Sequence, residues 1–235
     1  LFHSGIARLG GMPVRIRILG GMEIRSSAGE PVRLPTRKTA LLLAALALAG
    51  GKGVPRQSLC DAFWANRGES QARNSLRQAL TAIRRVALNG ESSFRTEGDL
   101  DRIELVARPQ DVDVRLFDCL IDEAAPLQLA AAADCYQGDV LAGFVVPEPL
   151  DPWFAPHRRS YRRKALLLVE RLSLLAGPDL EAVEADCQSL AERLLSTDPA
   201  AEEAHRAIIR LHQHRGRANA ALRQFQLCRE ALQRE

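Results

Sequence analysis

The sequence predicts a mainly α-helical protein with a small β component, built in two parts, and three observations carry the prediction. Residues 69–88, ESQARNSLRQALTAIRRVAL, place Ala72, Leu76, Ala79, Leu80, Ile83 and Ala87 on one stripe of a helix at about 100° per residue. Short β-prone runs broken by Gly, Ser and Asp stand on either side of the first three helical segments. From Asp111 onward the apolar residues recur at helical spacing, with stops at Asp198-Pro199 and Gly216.

Residues 14–34 open the first part with strand alternation: Val14, Ile16 and Ile18 point one way, Arg15 and Arg17 the other. Gly20, Gly21 and the stretch SSAGEP at 26–31 supply turns, so a small antiparallel sheet is expected, ending at VRLP. Residues 1–13 precede the alternation and read as a disordered extension. A first helix runs from about Thr36 to Ala49 and stops at Gly50-Gly51. A second, PRQSLCDAFWA, opens with Pro55 as a first-turn residue and buries Leu59, Phe63 and Trp64. The third is residues 70–88. SFRTEG and RIELV around DLD then form a hairpin over 93–106. Helix, helix, long basic helix, hairpin is the order of a winged helix-turn-helix domain, here residues 14–108. In such a unit a helix fits the major groove while the hairpin reaches neighbouring backbone.

Residues 109–235 read as an all-α tetratricopeptide-like helical repeat domain. The long helix in DPWFAPHRRSYRRKALLLVERLSLLAG offers Trp153, Phe154, Tyr161, Leu166, Val169 and Leu172 for packing, and the Ala221/Phe225/Cys228 spacing fits a repeat hairpin. Stacked repeats bury their faces against neighbours, so the expectation is that the natural protein continues past Glu235. Asp111 and Asp113, at i, i+2 on a strand entering this part, are read as capping or linking residues rather than a catalytic carboxylate pair.

The net charge of +3 conceals an asymmetry, because residues 1–108 carry +8 and residues 109–235 carry −5. A basic first half suggests a polyanion partner. The third helix sharpens this: beside its apolar stripe, within about 140° of arc, lie Ser70, Arg73, Asn74, Arg77, Gln78, Thr81, Arg84 and Arg85, with no acid among them. Ordinary surface helices interleave Glu with Lys or Arg at i, i+4, because like charges repel. A face of cations and hydrogen-bonding groups alone suits nucleic-acid phosphate and base edges.

Cys60, Cys119, Cys135, Cys187 and Cys228 are irregularly spaced with no C-x-x-C pair and read as reduced core residues. His205, His212 and His214 read as exposed helix positions, and no metal or cofactor set is expected. TALLLAALALAG at 39–50 is too short to span a bilayer and the amino terminus lacks an apolar signal core, so a cytoplasmic, nucleoid-associated location is expected. Phosphate-loop, nucleophile-elbow, H-E-x-x-H and dinucleotide fingerprints are missing from the sequence, which argues against an enzyme.

LPTRKTALLLAALALAGGKGVPRQSLCDAFW, ARNSLRQALTAIRRVAL, the strand DVDVRLF, and YQGDVLAGF with DPWFAPHRRSYRRKALLLVERL resemble the SARP-type bacterial transcriptional activators, from about Val14 to the end. The resemblance implies an OmpR-type winged helix on DNA direct repeats. It also implies a bacterial transcriptional activator domain that aids homodimerisation and contacts RNA polymerase. Carried over by position, it assigns base readout to Arg73, Asn74, Arg77, Gln78 and Thr81: Arg77 or Arg73 on guanine, Asn74 or Gln78 on adenine. Phosphate contact falls to Arg84, Arg85, Lys38, Arg56, Gln57, Arg95 and Arg102. Two departures stand out: the turn ANRGES lacks the family's common Pro, and PDLEAVEADCQSLAERLLSTDP is about one turn longer than usual. The alternative reading is a regulatory protein-interaction module of a larger signalling protein, with a fused cyclase or ATPase effector beyond residue 235 and little or no DNA binding.

Overall fold

The computed structural model describes residues 16–26, 29–88, 94–99 and 101–234; the side chains of residues 87, 88, 94 and 95 are outside that description, as is the extension expected over 1–13. Strands β1 (Ile16–Arg17) and β2 (Glu23–Ile24) pair antiparallel with Ile16 opposite Ile24. Helix α1 (Arg37–Leu48) begins at Thr36, whose hydroxyl accepts from the Thr39 N–H at 3.1 Å, and it ends before Gly50 and Gly51, both at positive φ. Ten of its residues are buried, so α1 is the central helix of the first part rather than a surface one.

Strand β3 (Val54–Pro55) precedes α2 (Arg56–Trp64), so Pro55 is the last strand residue and the helix cap, not a first-turn residue. Helix α3 (Glu69–Leu88) follows, then β4 (Phe94–Glu97) and β5 (Arg102–Ala107), in a sheet ordered β3-β5-β4 with Phe94 opposite Ala107 and Val54 opposite Ile103. This is a winged helix-turn-helix.

The expected strand DVDVRLF is not one. Val112 makes a single parallel bridge to Ile16, and α4 (Asp113–Ile121) begins at once. Val114, Phe117 and Leu120, buried at i, i+3, i+6, outweigh the local alternation. The remaining helices are α5 (Pro126–Cys135), α6 (Asp151–Ser173), α7 (Gly177–Thr197), α8 (Glu202–His214) and α9 (Ala218–Leu232), with α6 packed on α7 and α8, and α8 on α9.

The two parts share one hydrophobic core. The alternation of the first strand fails at its end, where Ile18 and Leu19 are both fully buried, because β1 is fastened to the helical part. The buried Asp113 carboxylate accepts from Ile18 N and Leu19 N with Oδ2, each at 2.7 Å, and from Val114 N with Oδ1 at 2.7 Å. From the other side Leu141 N donates to Ile18 O at 2.8 Å and Gly20 N to Asp139 O at 3.0 Å. Arg115 adds bonds to Leu105 O at 2.8 Å and Ala107 O at 3.2 Å, tying α4 to the wing strand β5. Asp113 is therefore a linking residue, as expected, but from a helix start. Asp139 is itself held by Tyr136, whose hydroxyl donates to it at 2.9 Å, and by an ion pair with Arg162.

Gly20 sits where two backbones meet. Its φ is +92°, and a Cβ there would lie 2.6 Å from the Gln137 carbonyl carbon. A Gly20→Ala substitution is expected to lower the unfolding free energy by about 2 kcal/mol in denaturant titration, through overpacking and an unfavourable φ; unchanged stability contradicts the close approach.

Three further expectations are corrected. His205 is buried, not exposed, and bridges Pro199 O at 2.9 Å and Gln224 Nε2 at 2.7 Å, joining the α7–α8 turn to α9. Cys119 is exposed and Cys135 and Cys228 half-buried, so the reduced-core reading holds for Cys60 and Cys187; all five are free thiols. Phe225 is 56 % exposed and Ala221 alone of its spacing group is buried. Among the described residues no His/Cys/Asp/Glu group has metal-binding geometry, and no helix is long and apolar enough to cross a membrane.

Candidate nucleic-acid interface

Helix α3 buries Ala72, Leu76, Ala79, Leu80 and Ile83 and exposes Ser70, Arg73, Asn74, Arg77, Gln78, Thr81, Arg84 and Arg85. The two faces read from the sequence are thus the two faces of the folded helix, except that Ala87 of the apolar stripe lies outside the described side chains. Its amphipathic period explains why: the buried five seat it on α1 and α2 and turn the polar set outward.

The outward groups are not equally free. Arg73 forms an i, i+4 ion pair with Glu69, which lies one turn back on the same helix, so one cation of the row is neutralised within the chain. Arg84 turns toward the wing and donates from Nε to Thr96 Oγ1 at 3.0 Å and Thr96 O at 3.3 Å. The Thr81 hydroxyl donates to Arg77 O at 2.9 Å, so toward a ligand Thr81 offers a methyl group and an acceptor. Arg77 has one long contact, Nη1 to Asn74 Oδ1 at 3.5 Å, at the limit of a hydrogen bond. Arg77, Gln78 and Arg85 have no carboxylate partner among the described residues.

Four of the residues assigned to phosphate outside α3, Lys38, Arg56, Gln57 and Arg102, are bound within the chain. Lys38 Nζ donates to Phe63 O at 2.9 Å, capping a carbonyl in the last turn of α2, and lies 5.7 Å from the Trp64 ring centre. Arg56 Nε donates to Asp99 O at 2.9 Å and its N–H to Asp101 O at 2.8 Å. Arg102 Nη2 donates to Gly53 O at 2.7 Å and Lys52 O at 3.2 Å, and Gln57 donates to Asp61 at 2.8 Å. Arg95 is on β4 opposite Val106, with its side chain outside the described residues. A guanidinium bonded to a carbonyl keeps its full charge, so Arg56, Arg84 and Arg102 still contribute to the field around α3 and the wing. Their reach, however, is used inside the molecule.

Those bonds also build the wing turn. Asp99 Oδ1 accepts from Asp101 N and Arg102 N, both at 2.8 Å, and these backbone donors hold its carboxyl below the usual range. Arg56 grips the same turn from α2. The wing is thereby fixed relative to α2, and Arg84 fixes it relative to α3.

Sequence reasoning passed over Arg67. It stands exposed in the turn before α3, its Nη1 donating to Ser75 Oγ at 2.8 Å, so its charge flanks the exposed face of α3. The signal was present in ANRGES, in a turn noted only for its missing Pro.

Residues 121–235 match the family described as bacterial transcriptional activator domain. Among solved structures, Mycobacterium tuberculosis EmbR in complex with a low-affinity phosphopeptide is similar, with a TM-score of 0.62 and 18 % identity over 93 % of this chain and 60 % of that one. The chain therefore spans 60 % of that protein's length. No match is found among curated proteins.

Proposed function

We propose that the chain is a sequence-specific reader of double-stranded DNA that regulates transcription; the match of residues 121–235 to the bacterial transcriptional activator domain and the winged helix ahead of it, the build of the SARP-type activators, support this reading. The observation that carries this reading is the exposed face of α3, where Asn74, Arg77, Gln78, Thr81 and Arg85 stand beside one another with one carboxylate, Glu69, at the helix start. A helix with this face fits the major groove, with Arg77 toward guanine, Asn74 or Gln78 toward adenine, and Arg85 toward phosphate. Arg73, Arg84, Lys38, Arg56, Gln57 and Arg102 would then act on DNA only by exchanging intrachain partners or through their field, and Arg95, its side chain outside the described residues, stays a phosphate candidate on the wing. In this reading residues 14–108 form the DNA-binding domain, and two copies occupy direct repeats. Residues 109–235 support that pairing and meet RNA polymerase.

The test is a fluorescence-anisotropy titration of the protein against a duplex from its own upstream region, repeated over a range of salt. The expected outcome is a log–log decline of affinity with salt whose slope corresponds to several displaced counterions, about 0.9 per phosphate contact. Absence of binding at low salt, or binding indifferent to salt, overturns the reading.

A further inference from the structure

Helix α3 carries four arginines and one acid, Glu69, which stands in its first turn. Glu69 and Arg73 are 65 % and 64 % exposed, so the carboxylate lies in the open at the end of the face that DNA would approach. An acid in the first turn suits the helix dipole, but beside phosphate it repels. Only a donor on a base edge offsets that repulsion. Two groups donate in the major groove, the amino groups of cytosine N4 and adenine N6. Adenine sets its N7 acceptor next to its donor, where a carboxylate is repelled.

The ion pair sharpens the choice between bases. It uses one carboxylate oxygen, Oε1, and one guanidinium nitrogen, Nη2; the other Glu69 oxygen and the other Arg73 donors have no partner among the described residues. Glu69, Arg73 and Arg77 follow one another at i, i+4, i+8, a line along the exposed face in steps of about 6 Å. From the start of the helix this line presents an acceptor and then the paired donors of an arginine fork. A C·G pair, taken from pyrimidine to purine, shows N4–H, O6 and N7, which is donor, acceptor, acceptor. A T·A pair in the same orientation sets O4 against the carboxylate and N6–H against the guanidinium, and both purine-first pairs set N7 against the carboxylate. C·G alone is complementary at every position.

We infer that Glu69 is a specificity-determining residue: on DNA the Glu69–Arg73 pair opens across one C·G base pair, Glu69 accepting from cytosine N4 and Arg73 donating to guanine O6 and N7. An ion pair this exposed contributes little by itself, so it opens easily, and three contacts replace one. The inference rests on α3 being the helix that meets DNA, and it deepens that reading by naming a base pair and the residue that selects it.

Selection from a pool of duplexes with a randomised window, followed by anisotropy titration on four duplexes that differ only at the selected position, tests it. The wild-type chain is expected to prefer C·G at that position by about tenfold or more over the other three pairs. Glu69→Ala, at an exposed site and with circular dichroism unchanged, is expected to bring the four within about threefold while preferences at other positions hold. It should also bind a scrambled duplex more tightly than wild type, because a repelling charge is gone. Arg73→Ala is expected to lose preference at the same base pair. A Glu69 variant that keeps the C·G preference, or changes affinity by one factor on every duplex, shows a helix-end charge and overturns the proposal, as does an Arg73 variant that still selects C·G there. In those cases a wild type that selects a sequence leaves the wider reading of α3 standing, whereas a wild type that selects none removes both.

Discussion

Asp113→Ala is expected to destabilise the fold by about 3 to 5 kcal/mol, the largest effect of a single side chain outside the apolar core. The carboxylate is buried and serves three backbone donors, those of Ile18, Leu19 and Val114; alanine leaves all three without an acceptor in a site closed to water. Each buried orphan costs about 1 to 3 kcal/mol, and partial relaxation keeps the sum below the maximum. The loss carries a pH signature. Burial pushes the carboxyl up to about 6 from an ordinary 3.8, against the pull of the three N–H groups and of nearby Arg17. A raised folded-state value means that the neutral form is favoured in the folded protein. The stabilising contribution is therefore whole below about pH 4 and is given back as pH climbs past 6, by up to about 3 kcal/mol. The difference between wild type and variant, measured by urea denaturation, should accordingly shrink from pH 4 to pH 7. A difference that widens over this range, or a variant as stable as wild type, contradicts the assigned bonds.

Arg77→Ala is expected to weaken binding to the cognate duplex by about 1 to 3 kcal/mol, roughly 5- to 150-fold, and to relax the base preference at one position. Arg77 is the arginine near the middle of the exposed face of α3 whose guanidinium is all but unengaged, with one contact at 3.5 Å. Arg85→Ala should behave differently, lowering affinity about equally on all sequences and reducing the salt slope by about one. Arg73→Ala should cost less than Arg77→Ala, because Glu69 already competes for that cation. The measurement is the same anisotropy titration on cognate and scrambled duplexes. An Arg77 variant that binds and discriminates like wild type removes α3 as the reader.

The faces of α3 were legible in the sequence because a helix repeats every 3.6 residues and nothing remote is needed to sort its side chains. The caps of α1, the wing hairpin and the stop before Asp198 were legible for the same local reason. What each arginine does was not. Arg56, Arg84 and Arg102 meet Asp99 O, Thr96 and Gly53 O, and backbone carbonyls carry no sequence signal. Lys38 belongs to the same class, since its acceptor is a helix-end carbonyl 25 residues away. His205 failed because its partner, Gln224, comes from the next helix, and a wheel drawn on one helix cannot show what another brings. Val112 and Asp113 were drawn into a strand by their alternation, whereas the buried carboxylate at the start of α4 decided the matter.

The way β1 is fastened sets the unit in which this architecture can be shuffled. Exchanging the winged-helix part for that of a relative at a seam near residue 108 would separate Ile18 and Leu19 from Asp113, and Gly20 from Asp139. A viable chimera has to transplant residues 16–25 together with 112–113 and 137–143, three segments far apart in the gene. Recombination between relatives should therefore leave these stretches inherited as a block, and if α3 is the reader proposed above, new specificities should arise by point changes on it more readily than by swapping the whole half.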